Sequence, residues 1–106
     1  MRVLLTVSIP VAKGNQAIAD GTLARVQQEV LATIRPEAAY FTDHEGRRSG
    51  TLIVNVADPS EIPALVEPWF LAFNADCSLH IAMTPEDLQR ADLAAIGKQW
   101  GESPSE

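Results

Sequence analysis

The chain has 106 residues, a hydrophobic content of 46% and a formal net charge of −6, which suits one domain with a core of its own. The negative charge repels phosphate backbones and anionic lipid surfaces, so neither nucleic acid nor a membrane surface is expected as a partner. No apolar run approaches the length of a bilayer span.

Cys77 is the only cysteine, so an internal disulfide is impossible and a reducing cytoplasm is the expected compartment. His44 and His80 stand far apart and no Cys/His cluster has zinc spacing, so no metal is expected. No glycine-rich phosphate loop or Ser-His-Asp spacing appears, which predicts a cofactor-free protein.

"RVLLTVSIP" is β-branched and apolar up to Pro10, which predicts a first strand rather than a signal peptide. Val3, Leu5, Val7 and Ile9 share one face, and Leu4, Thr6 and Ser8 the other. Leu23, Val26, Val30 and Ile34 then recur at helical spacing, with Gln27 the polar exception. Pro36 stops this helix. Its start has two readings: a cap at Asn15, or a break at Asp20-Gly21-Thr22 with a loop before it. "AAYFTDH" and "GTLIVNV" form an antiparallel hairpin around the loop "EGRRS".

Asp58, Pro59 and Glu61 spell a helix start with a capping box. The apolar stripe Ile62, Leu65, Val66, Trp69, Phe70 and Phe73 keeps its phase across Pro68, so "EPWFLAF" is expected to pack the core, with Pro68 on the outer face. "CSLHIAMT" alternates as a fourth strand. Thr84, Pro85 and Asp87 open a last helix that should stop at Gly97, making residues 1–97 one domain and 98–106 a polar tail.

The order β-α-β-β-α-β plus a C-terminal helix is the ferredoxin-like split βαβ pattern: an α+β fold with a four-stranded antiparallel sheet. The apolar strand faces, Leu79, Ile81 and Met83 among them, should meet the helices. The second face is mixed, with Leu4, Thr6, Ser8, Ile53, Asn55, Ser78 and His80, and Tyr40 on the favoured hairpin register. Its apolar part predicts a homodimer that packs two such faces together.

The segment order resembles the dimeric α/β-barrel superfamily, which includes muconolactone isomerases and antibiotic-biosynthesis monooxygenases. "PEAAYFT", "GRR", "DPSEIPALVEPWF", "FNAD" and "AMTPEDL" resemble a family of uncharacterised bacterial proteins, over most of Leu23 to Leu88. The resemblance implies a homodimer on a scaffold that hosts several cofactor-free reactions.

The expected site is a pocket at the sheet. There His80 and Tyr40 would be the catalytic candidates, and Thr6, Ser8 and Asn55 would orient a small apolar or aromatic ligand. The competing reading is an oligomerisation domain without chemistry, in which the same groups bond across an interface. A third is an adaptor that uses Arg47 and Arg48 in the hairpin loop. His44, with Asp43 and Glu45, reads as a solvated turn, Cys77 as an inert thiol, and Trp100 as a side chain that docks on its own sheet or on a partner.

Overall fold

A computed structural model describes residues 1–101. In it, strands β1 (Arg2–Ile9), β2 (Ala38–His44), β3 (Arg47–Asn55) and β4 (Asp76–Ile81) alternate with helices α1 (Val11–Asp20), α2 (Thr22–Ile34), α3 (Ile62–Phe73), α4 (Pro85–Ala91) and α5 (Leu93–Trp100). The strands form one sheet in the order β2-β3-β1-β4, every neighbouring pair antiparallel. This α+β architecture is compatible with a ferredoxin-like fold.

Each element follows from local chemistry. Gly21, at φ 81°, breaks the first helical segment in two, and the Asp20 carboxylate accepts the Thr22 N–H at 2.8 Å. The residues before that break are helical rather than a loop. The hairpin turn has only two residues, Glu45 (φ 52°) and Gly46 (φ 76°), with His44 paired to Arg47 across it. Positive φ at both positions gives the right-handed twist that paired strands need, so Arg47 and Arg48 belong to β3 and not to a loop. The Asp58–Glu61 box forms as expected, over a 3-10 turn that leads into α3.

Helix α3 runs unbroken through Pro68, with Leu65, Val66, Trp69 and Phe73 buried. Pro68 is not fully on the outer face. It is half-buried beside α2, near Val26 and Val30. The core lies between the sheet and α1–α3, where Val3, Leu5, Val7, Leu52 and Val54 meet Trp69 and Phe73.

The expectation for the far end of β4 fails. Leu79 packs on the core, but Ile81 and Met83 are each 65% exposed. β4 is an edge strand, and the helices that cover the sheet do not reach its C-terminal end. The last helix is two helices, divided at Asp92 (φ 55°), and α5 continues through Gly97 to Trp100. All of α5 is exposed, and Trp100 is 76% exposed, so among the described residues it is not buried against the sheet.

Candidate functional site

The strand register fixes the outer, mixed face. Tyr40, Thr51, Thr6 and Ser78 form one cross-strand row. Ala38, Ile53, Leu4 and His80 form the next. Tyr40 therefore stands on the face expected for it, but on edge strand β2, while His80 stands on the opposite edge strand. Three strand spacings, about 14 Å, separate those edges, so within one chain the two side chains do not converge on a common bond. Both are exposed.

Asn55 is drawn into a different cluster. Arg2 holds Glu37 through two hydrogen bonds of 3.0 Å, and the Asn55 amide donates to the same carboxylate. The hydrogen bond from Arg2 holds the Glu37 carboxyl below its ordinary range, with Asn55 helping. Thr6 and Ser8 do come together, in an open depression of about 220 Å³ with Ser78, Arg47 and Asp76. The histidine at its edge is His44, not His80. Arg47 reaches across to Asp76 at 3.5 Å, so those two charges are already paired.

Cys77 lies half-buried at the start of β4. Burial, with the Asp76 carboxylate beside it, pushes its thiol up to about 11. A thiol so far above neutrality is protonated and unreactive.

A larger concavity is on the other side of the sheet. A cavity of about 370 Å³ opens between the sheet and helices α2 and α3. Val7, Gly50 and Leu52 form its floor, and Leu23, Gln27 and Trp69 its walls. Phe41, half exposed, and Arg48 flank its mouth. Gly50 matters to this shape, because a Cβ there would lie 3.0 Å from the Phe41 ring. The neighbouring Ser49 hydroxyl donates to the Val7 carbonyl at 2.9 Å, so that buried group is satisfied.

Trp69 is 2% exposed, and its indole N–H is buried without an acceptor among the described residues. The nitrogen is shielded from solvent, so the cavity meets apolar ring surface. An unpaired buried N–H costs about 1–3 kcal/mol, which is tolerable only because the ring fills so much of the core.

Arg48 is the only ionisable side chain among the lining residues. Its Nη1 donates to Asn15 Oδ1 at 3.0 Å. Gly14 makes room for it, since a Cβ at that position would sit 2.8 Å from Nη1. Sequence reasoning missed this cavity because Trp69 and Gln27 belong to helix stripes that read as core. The one available signal was Gln27, a polar residue on an otherwise apolar face.

Among the described residues, no group of three or more His, Cys, Asp or Glu side chains is arranged to hold a metal ion. Among those residues, no helix is long and apolar enough to cross a membrane. No protein-family model matches the chain, and neither a curated protein nor a solved structure matches it.

Proposed function

We propose that this protein binds a small apolar or aromatic molecule in the cavity between its sheet and helices α2 and α3. The observation that carries this reading is the cavity itself: about 370 Å³, floored by Val7 and Leu52 and walled by Leu23 and Trp69. That size and lining fall in the range of pre-formed small-molecule sites, where apolar walls supply affinity and a few polar groups supply orientation. The lining holds no acid–base pair, so binding is favoured over proton-transfer chemistry at this place. On this reading the ligand lies on the helix side of the sheet. The polar groups of the outer face, His80, Tyr40, Thr6, Ser8 and Asn55, serve the surface instead.

The test is a thermal-shift screen of the full chain against small apolar and aromatic compounds, repeated with Leu23→Phe to fill the cavity. Stabilisation by compounds that no longer act on a folded Leu23→Phe protein supports the reading. Compounds that stabilise both proteins equally bind elsewhere and oppose it.

The outer face supports a second element of the proposal, a homodimer on a ferredoxin-like scaffold of the dimeric α/β-barrel kind. Tyr40 is 68% exposed there, and Leu4 and Ile53 are only half-buried. A two-fold packing of two such faces buries all three at once. Sedimentation equilibrium checks it: a dimer that Ile53→Glu converts to a folded monomer is expected, and a wild-type monomer at high concentration opposes it. This is also the outcome under which a purely oligomeric role, without a ligand, would be preferred if the thermal-shift screen is flat.

A further inference from the structure

We propose that the ligand of this cavity is an amphipathic carboxylate, its apolar body against Leu23, Leu52 and Trp69 and its carboxylate at Arg48. The inference rests on the cavity being a binding site, as set out above, and adds the chemical class of what it holds.

Arg48 is exposed, but its guanidinium is held in place. In the hairpin register it stands opposite Asp43, the cross-strand neighbour that would ordinarily take a guanidinium. Among the described residues it makes no ion pair with that carboxylate or any other. Its guanidinium lies instead against α1, where buried Gly14 leaves room and Asn15 supplies a neutral acceptor at 3.0 Å. A neutral partner fixes the group without cancelling its charge. An arginine has five N–H donors, so most of them remain for a ligand. Arg48 lines a cavity whose other residues are mostly apolar, with Gln27, Thr42 and Ser49 the polar exceptions.

That combination selects by charge as well as shape. A guanidinium binds a carboxylate through two parallel N–H···O bonds, and a charge-assisted pair is about twice as strong as a neutral one. The net charge of −6 repels multiply charged anions in general. A single guanidinium beside apolar walls therefore favours a monoanion with a hydrophobic body over a phosphate ester. Asp43, close to the same mouth, sharpens the preference, because it adds repulsion that only a singly charged head group with good geometry overcomes.

The experiment is an NMR titration of the ¹⁵N-labelled full chain with benzoate, 4-phenylbutyrate and 1-naphthoate, each beside its primary amide. A carboxylate is expected to bind about tenfold or more tightly than its amide, with the shifts centred on Gly50, Leu52 and Trp69. Arg48→Gln should bring the acid-to-amide affinity ratio close to one, and Asp43→Asn should strengthen carboxylate binding. Equal affinity for acid and amide in the wild-type protein, at the same cavity residues, overturns the carboxylate assignment and leaves the apolar site standing. Absence of binding by every member of both series overturns both. Should Arg48→Gln fail to fold, the wild-type acid-to-amide ratio and its weakening by salt still decide the matter.

Discussion

The ring of Phe41 lies over Gly50: a Cβ built on that glycine would stand 3.0 Å from two of its ring carbons. The two residues are directly opposed on β2 and β3. An aromatic ring thus covers a strand position that has no side chain, and the same ring forms one edge of the cavity mouth. Gly50→Val should displace the ring and destabilise the fold by about 1–3 kcal/mol. Chemical denaturation of the single variants and of Gly50→Val/Phe41→Ala checks it, with the double variant less destabilised than the sum of the two.

Trp69 carries both the core and the cavity wall. Its ring centroid lies 6.1 Å from that of Phe73, at a tilt of 37°. Truncation to alanine should cost about 3–5 kcal/mol. Trp69→Phe keeps most of the packing and removes the buried unpaired N–H, so its cost should stay below about 1.5 kcal/mol. Urea midpoints of the two variants measure the difference directly.

Stability should fall in acid. Asp20, bonded to Thr22, Asp58, bonded to Ser60, Asp87, bonded to Thr84, and Glu37, held by Arg2, all have carboxyls below their ordinary range. For such depressed groups the contribution is complete above the unfolded carboxylate range, about pH 4–4.5, and is lost as pH falls through the folded values. Denaturant midpoints measured from neutral pH downward should hold steady and then drop below that range. Glu37→Gln should make the drop shallower.

Cys77 should resist alkylation in the native protein. With its thiol at about 11, the thiolate is scarce at neutral pH. Iodoacetamide should modify the denatured chain much faster than the native one, and the native rate should rise only toward strongly alkaline pH. Because the folded value is raised, the associated stability is lost as pH climbs above the unfolded thiol value of 9.0.

Much of the fold was legible because its signals are local. β2 runs from Ala38 to His44 as the hairpin pattern implied, and both capping boxes close as Asp58/Glu61 and Thr84/Asp87 spelled them. What escaped depended on backbone conformation or on distant neighbours. "EGRRS" looked like a loop because it contains glycine and serine, yet Glu45 and Gly46 both accept positive φ and complete the turn alone. The break at Asp20-Gly21-Thr22 left the segment before it open between a helix from Asn15 and a loop, and it is helical from Val11, with Gly14's missing side chain admitting Arg48. The exposure of Ile81 and Met83 follows from β4 lying at a sheet edge, which their alternation does not encode. The site was the least legible part. Alternation placed Tyr40 and His80 on one face, but strand order put them on opposite edges, and the cavity arises from residues of five separate elements.

The central claim is that the space beside Trp69 is a binding site and not a packing defect. The most direct measurement is a ¹H–¹⁵N spectrum of the full chain with and without a simple apolar probe such as toluene. The account predicts saturable shifts at Leu23, Gly50, Leu52 and the Trp69 indole N–H, with little change in α5. Saturation that leaves those four signals unmoved, or shifts confined to the outer face or to Trp100, would contradict it.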